Sequence, residues 1–476
     1  MLDYVKFKQP VVLGLLPTQR GIYDPDIPGR QGRKLKKKLA ELEVDFVSLD
    51  WLNDDGLLSD PGDAEKIAAR FAKKKVDAVF VAHCDFGSEL AVGRTCKAVG
   101  KPVLLWGPRD GDPGSDGVRE RDTQCGIFPS GKILRRMDVP FSYIVNCSPE
   151  DEVFERGLDN FLRAVNVARC VEGARIGQVS TRPGSFTSVI CNEGELLERF
   201  GIEVVPAALS KLTGEAKARL DSEETRRELE EIYEKAEVKV DEEEMLKVAA
   251  LKLAVKDWAM EQRLDGIALQ CWSALQSELG VCSCFVHGEM TDLGVPMACE
   301  TDIHGAVSAV AAQAAAWGES APFFADLTVR HPENDNAELL WHCGPFPLSL
   351  AKGDPEICPH FGMDVGAVGH WEIRGGDVTL VRFDGDRGRY RMFTGHARGT
   401  DGPATYGTYL WVEVNDWPRW EERLVCGPYV HHIVGVHGKL APVFYEACKF
   451  IGDVEPDLID PEEQEIRAYL RGTAQL

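Results

Sequence analysis

The segment ACETDIHGA (298–306) concentrates three groups able to bind cations or move protons: Glu300, Asp302 and His304. It joins a strand-like stretch, GVPMACE, to a helix-like one, IHGAVSAVAAQ. Carboxylates at a strand end beside a helix N-terminus suit cation and substrate binding. Alternate residues of an extended stretch point the same way, so Glu300 and Asp302 can share a face. Asp302 equally fits the role of helix N-cap. A second concentration is GPYVHHIVGVHG (427–438), where His431 and His432 precede Gly-rich chain. Imidazole is a common ligand for divalent metals, although adjacent His residues also serve structure. Glu278 in LQSELG and His342 in WHCG are further candidates, each equally readable as a surface or packing residue. Carboxylates with a His make a mixed oxygen/nitrogen donor set, which suits manganese, cobalt or magnesium better than a thiolate-type zinc. Cys282 and Cys284 form an isolated C-x-C pair, which predicts packing and not a zinc knuckle.

Other chemistries lose support. The sequence has no P-loop, no G-x-G-x-x-G at the first strand–helix turn, no G-x-S-x-G and no H-E-x-x-H. With 54 Lys and Arg against 77 Asp and Glu, the formal net charge of −23 argues against a nucleic-acid partner. No apolar run approaches the roughly 18 residues that span a bilayer. The opening MLDYVKFKQPVVLGLLPTQR lacks a signal-peptide cleavage pattern. A soluble, cytoplasmic protein is expected, whose fourteen Cys remain reduced.

Three regions must position these groups. At 476 residues the length implies about three domains. In the first, VVLGLLP (11–17), DFVSLD (45–50), VDAVFVAH (76–83) and KPVLLWG (101–107) read as buried strands separated by helices. That alternation predicts a doubly wound parallel sheet, with the loops PTQRGIYDPDIPGR, HCDFGSE and WGPRDGDPG on one rim. A second parallel α/β unit begins near Arg175 with RIGQVS, the loop TRPGSF, a helix and IEVVPA, and GIALQC (266–271) returns to its sheet. The charge-dense run Asp221–Lys247 predicts a solvated helical hairpin. The last third, with DVTLVRFDG, RYRMFTGHARG and TYLWVEV, alternates in the manner of an antiparallel sandwich or barrel. The expected domains are therefore 1–170 (substrate loops), 171–325 (carboxylates) and 326–476 (the His ligand).

These motifs, taken in order, resemble the L-fucose isomerase and L-arabinose isomerase superfamily, especially its shorter fucose-isomerase-like members. GLLPTQRGIYDPDIPGRQG is similar to the N-terminal "G-x-x-P…G-R" loop, and HCDFGSE and LLWGPRDGDPG to the paired loops that follow. CETDIHGA resembles the "T-E-N-D-x-x-x-G" metal motif, FFADLTVRHPE the "F-A-D-V-R-x-Y-W-x-P-E" motif, and His431-His432 the "N-H-G" or "H-H-T" signature. The resemblance implies one divalent metal, usually manganese, with Co2+ or Mg2+ as alternatives, held by Glu278, Asp302 and His432. It implies that Glu278 and Asp302 are also the acid/base pair. The arabinose branch instead points to Glu300 and His342. Arg30, His83, Trp106 and Arg109 in the N-terminal loops, with His431, are the expected sugar contacts. The implied activity is aldose–ketose isomerisation of a free pentose or 6-deoxyhexose through an enediol, by a homo-oligomer, trimer or hexamer. The alternatives are an epimerase, an isomerase of a modified or acidic sugar, and a non-catalytic sugar-binding protein.

Overall fold

A computed structural model describes residues 2–363 and 365–476. The described chain divides into two compact units. The smaller spans Gln9–Arg169 with Glu463–Leu476, and the larger spans Cys170–Glu462 with the N-terminal residues up to Lys8.

The smaller unit holds a five-stranded, all-parallel sheet. Its order is Phe46–Val47, Leu13–Thr18, Ala78–His83, Val103–Trp106, Phe141–Tyr143. The two central strands are buried along their whole length, as expected when helices cover both faces of a sheet. The strand order reverses between Leu13–Thr18 and Ala78–His83, the place where doubly wound folds receive ligands. The expected rim forms there, with Thr18 directly opposite His83. One loop is shorter than the sequence reading had it. The helix Asp26–Glu41 starts before Gly29, so Arg30 is helical and exposed. Ile27, Leu35 and Leu39 of that helix are buried, while its Lys run faces outward.

The larger unit contains two sheets. One is parallel, in the order Met297–Cys299, Gly266–Leu269, Arg175–Val179, Glu203–Ala207. The other has ten strands and is mainly antiparallel. Six of its strands follow one another from Arg389–Gly399 through Asp377–Asp386, His432–His437, Phe323–Arg330 and Ala337–His342 to Thr408–Glu413. Pairing of Arg398 with Glu413 and of Gly399 with Val412 closes these six on themselves, the barrel alternative of the sequence reading. Helix Ile303–Ala315 (IHGAVSAVAAQAA) is buried on every side and packs against strands of both sheets. Its small residues allow that close approach. The acidic run forms two helices, Glu223–Lys235 and Glu242–Gln262, as expected. The link between them was not foreseen: Glu237–Val238 adds a parallel edge strand beside Glu356–Ile357. Cys282 and Cys284 are buried with Val368 in an apolar cluster, which is the packing role expected of them.

Candidate active site

The C-terminal ends of the parallel strands in the larger unit carry four non-glycine residues in the left-handed backbone region. Ser180 (φ 65°) follows the Arg175–Val179 strand, Ser273 (φ 61°) follows Gly266–Leu269, and Glu300 (φ 60°) and Thr301 (φ 57°) follow Met297–Cys299. Each costs about 1–3 kcal/mol and persists only where surrounding structure imposes it. Strain gathered on one rim marks a place where chain direction matters more than stability.

Antiparallel register brings two more groups to Glu300. Asp326 lies directly opposite His432, and directly opposite residues of a pair project from the same face. His432 Nε2 is 2.9 Å from Glu300 Oε2 and 3.6 Å from Asp326 Oδ1. Nε2 of His431 and of His342 each lie 3.9 Å from the same Asp326 oxygen. Ligand atoms of Glu300, His431 and His432 all fall within 4.8 Å of one another.

The hydrogen bonds around this cluster show what it offers. Nδ1 of His432 donates to Asp302 Oδ2 at 2.8 Å, so Nε2 is left as a lone pair. That holds for the neutral ring, in which Nε2 has no proton to give Glu300. Four buried atoms therefore have no hydrogen-bond partner: Glu300 Oε2, Asp326 Oδ1, His342 Nε2 and His432 Nε2. Buried polar atoms are nearly always paired. A group of unpaired ones, mostly lone pairs facing one another, is what a cation would satisfy. Burial opposes a charge on His432, but Asp302 and Glu300 outweigh it and raise its imidazole to about 10, so an ion bound at Nε2 would take the place of a proton there. Burial likewise opposes ionisation of Glu300, and His432 more than offsets it, so its carboxyl is held below the usual range. His342 differs from His432. Its Nδ1 accepts from the Cys343 N–H at 2.9 Å, so in the neutral ring Nε2 carries the proton and presents a donor.

Asp302 and His432, which the sequence reading required to converge, do so at 2.8 Å. The geometry nevertheless gives Asp302 a position different from that of a ligand. It is fully buried and caps helix Ile303–Ala315 by accepting from the Gly305 N–H at 2.9 Å. It also accepts from both terminal nitrogens of Arg382. Both its oxygens are thus committed. Burial would raise its pKa, yet the Arg382 guanidinium beside it holds it well below the carboxylate range. Arg382, 1% exposed, also bonds Asp384, which accepts from Nδ1 of His304 at 2.9 Å. His304 therefore belongs to a supporting network behind the cluster. Glu278 is not brought in. It is exposed on the short helix Gln276–Leu279, where its Oε2 accepts from Thr213 at 2.8 Å. The strained turn at Ser273 separates it from the end of the Gly266–Leu269 strand.

Sequence reasoning quoted FFADLTVRHPE but gave Asp326 no role. An acid directly after three buried apolar residues of a strand was the available signal. Arg382 was missed for the same reason: a lone arginine in DVTLVRFDG is cheap to bury only when two carboxylates meet it. The remaining candidates lie in the smaller unit. His83 is fully buried at its strand end. Its Nδ1 donates to the Phe86 carbonyl at 3.0 Å, so Nε2 is a buried lone pair without a partner, and burial pushes the imidazole down to about 4. Gly126 packs so close that a Cβ there would lie 1.7 Å from the Phe86 oxygen. Trp106 is a core residue, its ring edge-on to Phe154 at 4.9 Å. Arg109 is exposed in the loop after that strand, and its N–H donates to the Cys147 carbonyl.

Residues 14–175 match the family model described as "Fucose/sulfoquinovose isomerase, N-terminal domain". Three curated relatives are sulfoquinovose isomerases. The protein from Alkalicoccus urumqiensis is 27% identical over 64% of this chain and 68% of its own length. That from Priestia aryabhattai is 26% identical, covering 71% and 76%. That from a Clostridium species is 25% identical, also covering 71% and 76%. The chain is thus similar to fucose- and sulfoquinovose-isomerase proteins, over residues 14–175 in the family model and over about two thirds of its length in the curated relatives. Among the described residues no helix is long and apolar enough to cross a membrane.

Proposed function

We propose that this chain is a fucose-isomerase-like enzyme, a sugar aldose–ketose isomerase and so an intramolecular oxidoreductase, that it depends on a divalent metal, and that its aldose carries a sulfonate, as the sulfoquinovose in its relatives' names does. That substrate replaces the free pentose or 6-deoxyhexose expected from the motifs. The observation that carries the metal-dependent reading is the group of buried, unpartnered atoms on Glu300, Asp326 and His432. Glu300, Asp326 and His432 would hold the ion, with His431 beside them. This set replaces Glu278 and Asp302 of the sequence reading, and keeps His432.

A bound divalent cation supplies Lewis-acid stabilisation of charge on the sugar oxygens at C1 and C2. The protein's own groups supply the rest. An ionised carboxylate, Glu300 or Asp326, takes the C2 proton and delivers it to C1, while a second proton moves from O2 to O1. Such positioned proton transfer contributes roughly 10²–10⁴-fold. The Nε2–H of His342 donates to a sugar oxygen. Asp302 fixes the His432 tautomer by accepting from Nδ1, and Arg382 keeps Asp302 ionised, an arrangement common behind metal-bound imidazoles. We place the enzyme in the cytoplasm as a homo-oligomer, trimer or hexamer, which light scattering on the purified protein checks.

The test is conversion of sulfoquinovose to its ketose after chelation and re-addition of Mn2+, Co2+ or Mg2+. Loss on chelation and recovery with one of these ions is expected. Full turnover by metal-free protein would remove the metal from the account. Ketose formed from L-fucose or L-arabinose but not from sulfoquinovose would restore the substrate read from the motifs.

A further inference from the structure

The loop after the Arg175–Val179 strand touches the cluster at both ends. At its start, the Thr181 carbonyl accepts from Thr301 Oγ1 at 3.2 Å, one residue from Glu300. At its far end, the Phe186 ring stands 6.4 Å from the ring of His431. The chain enters this loop through left-handed Ser180, whose hydroxyl donates to Gln270 Oε1 at 2.8 Å. Gln270 in turn begins the loop after the neighbouring strand, so the path is fixed from two sides.

Between those anchors lies Arg182. Its guanidinium reaches only the carbonyls of Pro183 and Gly184, at 3.4 and 3.3 Å, and is partly open to solvent. No carboxylate pairs with it among the described residues. Arg175, Arg199, Arg219 and Arg382 of this unit have acidic partners, whereas Arg374, like Arg182, reaches only backbone carbonyl oxygen. What sets Arg182 apart is its place: an arginine left without an anion, in a chain of net charge −23 and on a loop tied at both ends to the cluster, is a charge held in reserve.

A sugar with an anionic tail needs a partner for that tail away from its reacting end. Glu300 and Asp326 would be matched in charge by the cation they hold, and so leave nothing for the tail. A guanidinium on the adjoining loop supplies the partner, and its planar fork of donors matches the oxygens of a sulfonate or phosphate. A neutral sugar has no use for it. We propose that Arg182 is the specificity-determining residue that selects an aldose bearing an oxyanion at the carbon farthest from the reacting pair. This rests on the isomerase reading above.

The test compares Mn2+-loaded wild type, Arg182→Gln and Arg182→Lys on sulfoquinovose, glucose 6-phosphate and the neutral analogue quinovose. In Arg182→Gln the ratio of kcat/KM for sulfoquinovose over quinovose should fall about 10- to 100-fold, the effect of losing charge-assisted hydrogen bonds. Most of the fall should lie in KM. Arg182→Lys, which keeps the charge, should retain more of the ratio. The phosphate arm tells whether the residue reads a sulfonate alone or any tetrahedral oxyanion. A ratio unchanged in Arg182→Gln, with both sugars losing equally, would make Arg182 merely a loop-stabilising residue. Wild type that isomerises neither sulfoquinovose nor quinovose would instead remove the isomerase reading, and this proposal with it.

Discussion

The larger unit buries two networks of charge, and they differ in balance. In one, Lys252 sits 4% exposed between Glu228 and Glu289, with its Nζ 2.7 Å from Glu289, and Lys235 donates to the same carboxylate at 3.1 Å. Two cations meet two carboxylates, and burial's penalty is offset inside the network: Lys252 stays charged because Glu289 and Glu228 outweigh its desolvation. In the other, Asp302, Asp384, Glu300 and Asp326 surround one guanidinium, Arg382, and one imidazole, His432. The excess is negative, and it ends in atoms that bond nothing. A closed network holds the fold. An open one, tolerated at a strained rim, has chemistry left to do.

The comparison can be broken most sharply at His432. His432→Asn should lower kcat roughly 10³-fold, about 4 kcal/mol, and abolish metal retention, with little loss of secondary structure. Steady-state kinetics and elemental analysis read both effects. A similar loss in His437→Gln would dissolve the distinction, because both ring nitrogens of His437 on the same strand are already paired, Nε2 with the Arg374 carbonyl and Nδ1 with the Ser320 hydroxyl. The opposite pattern is expected at Lys252. Lys252→Met should destabilise the protein by about 3–5 kcal/mol in denaturant unfolding, since it strands buried carboxylates, yet leave kcat of the folded enzyme unchanged. A large fall in kcat there would make both networks catalytic. Asp302→Asn falls between, as a residue acting through another: metal affinity should drop about 10- to 100-fold, measured by titration. The smallest effect belongs to Glu278→Gln, within about 0.5 kcal/mol in stability and under threefold in turnover. A thousandfold loss would return the first ligand to the place the motif resemblance gave it.

Much of this was legible before folding. Buried apolar strands alternating with amphipathic helices specified the parallel sheets, because a strand covered on both faces has no polar side to show. Alternation in the last third specified antiparallel pairing. His432 and Glu300 were visible as types suited to a cation. The choice among carboxylates was not legible: Glu278, Glu300, Asp302 and Asp326 look alike along the chain, and the motif resemblance favoured Glu278, which the fold leaves exposed, and Asp302, whose oxygens Arg382, Gly305 and His432 already occupy.

Sequence by itself settled which chemical groups were present and which stretches would form strands, since both follow from side-chain type and short-range periodicity. The tertiary structure alone decided which carboxylates remain free. Register set Asp326 opposite His432, a strained turn carried Glu278 off the rim, and Arg382, arriving from a distant strand, occupied Asp302. A group's chemistry depends on whether its lone pairs are already spent, and the partners that spend them lie some eighty residues away along the chain, at Arg382 for Asp302.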